Sequence, residues 1–169
     1  MKSLTDLLAS IPDPTDRLRL DAFGQTYATP EHLWLARCAA FPVALTTDLL
    51  YKIWLNFRQT DTGETVDIPI NAVGDILLSP LCHEIGYDLY EMYPEARAVL
   101  WQSLSPDTVA SLAEFTLRYL DFCRDKVPSE AFAEAQRIWA ESFQHPQKVA
   151  QLLRQLLSER KTNSGSKIM

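Results

Sequence analysis

Apolar positions recur along most of this chain at helical spacing, three or four residues apart, and short joints containing proline separate one stripe from the next. Leu4 to Ser10 forms the first such stretch and stops at Ile11-Pro12-Asp13-Pro14. A second runs from a cap at Thr15 or Asp16 to about Tyr27, with Leu18, Ala22 and Phe23 as its buried stripe and Gly24 as a weak point. Pro30 to Ala40 follows, carrying Leu33, Trp34, Arg37 and Cys38. From a cap at Thr46 or Thr47, residues Leu49, Leu50, Ile53, Trp54 and Phe57 make a broad stripe, and Tyr51 and Leu55 add apolar surface opposite. That breadth predicts a helix buried on most sides, the core of the amino-terminal half.

Thr29-Pro30, Tyr93-Pro94, Ser105-Pro106, Pro128-Ser129 and His145-Pro146 each open a further stripe, because proline at the first helical position loses no intrahelical bond. Pro106 to Lys126 is apolar on nearly every side and reads as a central helix. Pro128 to Gln144 sets Phe132, Ala135, Trp139 and Phe143 against Glu134, Arg137 and Glu141. Pro146 to Lys161 carries Val149, Leu152, Leu153, Leu156 and Leu157 on one face.

Two segments resist this scheme. Asp61-Thr62-Gly63-Glu64 is a turn, read first as a helix-to-helix loop and second as the end of a small β-ribbon near 56–68. In 70–90, Leu77, Leu78, Leu81, Ile85 and Leu89 align as a helical stripe, but Ser79-Pro80 interrupts it, which predicts two helices meeting at Pro80. The sum is an all-α fold, a single-domain orthogonal bundle of about seven to nine helices over 1–161, with a polar tail at 162–169.

Composition narrows the partners. A net charge of -6 over 169 residues disfavours a nucleic-acid backbone as ligand. No run reaches the length of a membrane span, and the amino end builds no apolar signal core. Cys38, Cys82 and Cys123 are widely spaced and odd in number, the pattern of reduced thiols, so the expected location is the cytoplasm.

Candidate chemistry concentrates between Pro80 and Pro94. Cys82-His83-Glu84 is a contiguous triplet of reactive side chains, yet the second histidine of a zinc-protease helix is replaced by Tyr87. His32 and His145 could complete a metal site only through folding. No nucleophile elbow, phosphate loop or dinucleotide fingerprint occurs, since every glycine is isolated. The expectation is therefore no catalytic residue, no metal and no cofactor, with an enzyme built on the triplet as the rival reading. On a continuous helix, Glu84, Asp88, Glu91 and Glu95 would form one acidic stripe with Tyr87, Tyr90 and Tyr93 beside it. Those seven residues are the expected partner-binding surface, because tyrosine offers apolar area and a hydroxyl at low entropic cost.

The run AFPVALTTDLLYKIWLNF, followed by INAVGDILLSPLCHEIGYDLYEMYPEAR, resembles small accessory proteins of bacterial multi-gene NTPase systems built around AAA+ ATPases and von Willebrand A partners and tied to biological conflict. The resemblance covers roughly residues 40 to 104. It implies a non-enzymatic adaptor or regulatory subunit whose partner, an NTPase, supplies the nucleotide chemistry.

Overall fold

The computed structural model describes residues 3–27 and 29–165, with side chains to Gln155 and at Leu157. Its helices are α1 (Leu4–Ser10), α2 (Pro14–Thr26), α3 (Pro30–Ala39), α4 (Thr47–Asn56) and α5 (Ala72–Leu77), followed after an antiparallel hairpin by α6 (Pro94–Trp101), α7 (Pro106–Phe122), α8 (Glu130–Gln144) and α9 (Pro146–Gly165). The hairpin comprises β1 (Cys82–Gly86) and β2 (Leu89–Met92). The fold is thus mostly α, as the apolar periodicity predicts.

Helix starts follow the capping logic. Ser3, Asp13, Thr29, Thr46, Ser105 and Ser129 each accept a backbone N–H of the first turn through their side chains. Pro14, Pro30, Pro94, Pro106 and Pro146 occupy first helical positions. Two expectations shift slightly: Asp13 caps α2 in place of Thr15 or Asp16, and Pro128 stands ahead of the Ser129 cap and starts no helix. The backbone of α9 continues through Lys161 to Gly165, so only 166–169 of the expected tail lies outside the described residues.

Burial redistributes the expected core. α3, with Trp34, Leu35, Ala36, Arg37, Cys38 and Ala39 buried, packs against α4, α5 and α6 and takes the central place expected of α4. α4 buries only one face, Leu49, Leu50 and Ile53, and leaves Tyr51 and Leu55 exposed. Leu18 of α2 is exposed and Ala22 half-buried; the buried positions are Asp16, Leu20, Phe23 and Gly24. Gly24 marks a close approach, since a Cβ there would collide with a methyl of Leu4 on α1. α7 is one-sided too, with Glu114, Arg118 and Phe122 outward.

α7, α8 and α9 pack in sequence order, and polar side chains fasten them to the amino-terminal half. The link from α3 to α4 is irregular backbone whose groups are satisfied by distant residues. Arg97 on α6 donates to the carbonyls of Phe41 (2.8 Å) and Pro42 (2.9 Å), and Trp139 on α8 donates to Phe41 O (2.6 Å). Buried Gln136 accepts from Val43 N–H (3.1 Å) and donates to Ala44 O (2.6 Å). The Arg97 guanidinium also lies over the Trp139 ring, 4.7 Å from its centroid. Asp61 makes a second fastening: it accepts from Ser105 N–H (3.1 Å) and the Thr108 hydroxyl (2.6 Å) at the start of α7.

The turn at 61–64 closes with one isolated bridge, Gln59 to Thr65, and Gly63 at φ 78°. It is the loop expected there, and the ribbon considered near 56–68 is not built as a named sheet. The sheet lies at 82–92 instead.

Candidate functional site

Leu81 and Met92 are fully or nearly fully buried and Cys82 is 9% exposed, so the base of the hairpin belongs to the core. From there the two strands climb outward in the register Cys82 to Met92, His83 to Glu91, Glu84 to Tyr90, with an irregularity at Ile85 before Gly86 meets Leu89. Tyr87 and Asp88 form the connection. Asp88 sits at φ 48°, in the left-handed region that aspartate tolerates better than most residues.

Asp88 is the anchor of the turn. Its Oδ1 accepts from Thr47 N–H (3.1 Å) and from the Thr47 hydroxyl in a short contact, placing a carboxylate at the amino-terminal end of α4, where the helix dipole favours it. Leu45 exchanges both backbone bonds with Tyr90, each 2.8 Å, and so flanks β2 on the side away from β1. Just past the end of β2 the Tyr93 ring receives the Arg19 guanidinium 3.7 Å from its centroid, with Arg19 paired to Asp16 at 2.7 Å. His83 lies 4.7 Å from the Tyr93 ring, and its Nε2 is 3.7 Å from Glu91 Oε2.

The expected acidic helical stripe does not exist, because this segment is a hairpin and the spacing of Glu84, Asp88, Glu91 and Glu95 brings them onto no common helix face. Glu84 is exposed on β1, Tyr87 is 98% exposed at the tip, and Glu95 is exposed in the first turn of α6. Asp88, Tyr90, Glu91 and Tyr93 are half-buried and spend their contacts inside the molecule. The exposed part of the expected surface is therefore Glu84 and Tyr87 on the hairpin, joined by Ile85 at 49% exposure, a position that helical spacing assigns to an apolar stripe, together with Glu95 on α6.

The Cys82-His83-Glu84 triplet does not converge either. Successive residues on a strand face opposite sides, so Cys82 turns to the core while His83 faces Glu91 and Tyr93. Burial pushes the Cys82 thiol up to about 12, which leaves it protonated and unreactive near neutral pH. His32 is enclosed elsewhere, hydrogen-bonded to Thr29 (2.8 Å) and Asp75 (3.1 Å), and His145 caps the end of α8. Among the described residues, no three His, Cys, Asp or Glu side chains gather as metal ligands. No described helix is long and apolar enough to cross a membrane.

Two features lie outside what helical periodicity predicts. Gln136 and Arg97 hold the 41–44 backbone, and neither is recognisable as a clamp without its distant partner. The hairpin had a local signal, Gly86-Tyr87-Asp88, a turn-forming cluster between two stretches compatible with strands. Comparison with protein-family models, with curated proteins and with solved structures returns no match to this chain.

Proposed function

We propose that this chain is a non-enzymatic interaction subunit that docks a protein partner through the tip of the hairpin 82–92, with Ile85 and Tyr87 as apolar contacts and Glu84 as the acidic one. The observation that carries this reading is a 98% exposed tyrosine held on a turn whose base is fixed at Asp88, Leu45 and Met92. A large aromatic displayed on a braced turn contributes binding area with little ordering cost. The resemblance of residues 40–104 to accessory proteins of AAA+ ATPase and von Willebrand A systems supports an NTPase as the partner, with this chain as adaptor or regulator.

Affinity purification from the native host, comparing the wild type with an Ile85→Ser, Tyr87→Ala double variant of unchanged circular dichroism, tests the reading. The expected result is loss of one stoichiometric partner from the variant. Equal recovery of that partner by both proteins overturns it.

A further inference from the structure

The outer edge of β1 is open for a defined reason. Tyr93 N–H donates to Leu81 O at 2.9 Å, which makes Leu81 and Tyr93 a bonded pair across the hairpin. Bonded and non-bonded pairs alternate in an antiparallel ladder, so His83 and Glu91 are bonded next, while Cys82 with Met92 and Glu84 with Tyr90 turn their backbone groups away from each other. Tyr90 confirms the alternation, since its N–H and C=O go outward to Leu45. The N–H and C=O of Glu84 must then point outward on the opposite edge. The Cys82 N–H is taken by Ser79 O at 3.2 Å, but among the described residues no backbone group meets those of Glu84, and Glu84 is exposed.

We infer that β1 takes an extended, basic segment of the partner protein as an added strand, centred on Glu84. This rests on the docking reading above and specifies its chemistry. Strand addition supplies main-chain bonds for affinity and side-chain pairing for selectivity. The charge at the edge selects the occupant: Glu84 is the exposed carboxylate there, whereas Asp88 is engaged by Thr47 and Glu91 faces His83. A lysine or arginine opposite Glu84 forms a favourable cross-strand pair, and apolar residues beside it reach Ile85 and Tyr87. A second copy of this chain fits badly, because symmetric pairing of two β1 edges about Glu84 sets two carboxylates directly opposite.

The probes are three capped pentapeptides: alternating valine and lysine, the same with glutamate for lysine, and the lysine peptide with its lysine amides N-methylated. Amide exchange and chemical shifts of the full chain are followed by NMR. The lysine peptide is expected to slow exchange of the Glu84 amide and to bind at least about threefold more tightly than the glutamate peptide, the scale of one exposed opposite-charge pair across strands. Methylation should abolish binding, and Glu84→Lys should reverse the preference. Glu84→Pro, which removes an outward N–H that an edge strand can spare, should prevent binding of the lysine peptide. An unprotected Glu84 amide, equal binding of the methylated peptide, or a concentration-dependent dimer lost in Glu84→Pro overturns the inference. If the native partner is lost with the tip double variant yet retained by Glu84→Pro, strand addition falls and the docking reading stands. If the tip double variant retains the partner, the docking reading falls.

Discussion

The segment 41–45 links α3 to α4 and 84–87 carries β1 into its turn, and the two are treated in opposite ways by the rest of the molecule. In the first, Arg97, Gln136 and Trp139 reach across from α6 and α8 to bond the carbonyls of Phe41, Pro42 and Ala44 and the N–H of Val43. In the second, the side chains point to solvent and the backbone of Glu84 is open. They meet at Leu45, whose two bonds to Tyr90 tie the clamped loop to the displayed hairpin. Irregular backbone inside a protein must find partners for its polar groups, and for this loop they come from distant side chains. Through those two bonds the base of the hairpin is fixed to the clamped loop while its tip stays exposed.

The sharpest way to break the contrast is at Gln136. Gln136→Ala removes the partner of the half-buried Val43 N–H and Ala44 carbonyl and leaves a gap where a fully buried side chain stood, and it should cost about 2 kcal/mol of stability in urea unfolding. A cost under about 1 kcal/mol would show that the loop finds other partners. The second contact to test is the brace of the hairpin. Asp88→Ala removes the carboxylate from the start of α4 and places alanine at positive φ, with an expected loss of about 1–2 kcal/mol. Exchange of the β2 amides should quicken before that of α7 or α8.

Asp61 sharpens the same comparison through pH. Burial raises its pKa, but the bonds from Thr108 and Ser105 and the charge of Arg37 outweigh it, leaving the carboxyl below its ordinary 3.8. A depressed carboxylate contributes stability above its ordinary pKa and loses it as pH falls through the lowered value. Wild type should therefore exceed Asp61→Asn in stability near pH 6, and the difference should shrink as the pH drops below about 4. A constant difference across that range would remove Asp61 as the linked group. The smallest effect belongs to the tip: Tyr87→Ala should change stability by less than about 0.5 kcal/mol in the same unfolding measurement. A larger loss would mean that the tyrosine packs within the fold and is not on display.

The helices were legible where local chemistry and burial agreed. Ser105-Pro106 and Thr29-Pro30 announce their helices through a cap and a preset φ, and tertiary packing only adds to that preference. Of the two helices predicted to meet at Pro80 the first forms as α5, but the second does not, because the helical spacing of Leu81, Ile85 and Leu89 competes with Gly86 and a turn-forming Asp88, and local propensity is weak enough for packing to override. The candidate surface rests on helical spacing of its acids and tyrosines, and Glu84, Tyr87 and Glu95 of it are exposed. Its arrangement differs, since a strand alternates sides every residue where a helix would have stacked every fourth.

What the sequence determined by itself is the mostly helical class and the position of nearly every capped helix start, because these depend on residues within one or two turns of each other. What only the tertiary structure decided is that 82–92 folds as a hairpin, that α3 and not α4 fills the centre, and that Gln136 and Arg97 hold a loop more than fifty residues away. These depend on contacts between distant parts of the chain, where the free energy of burying Leu81, Met92 and the 41–44 backbone outweighs local preference.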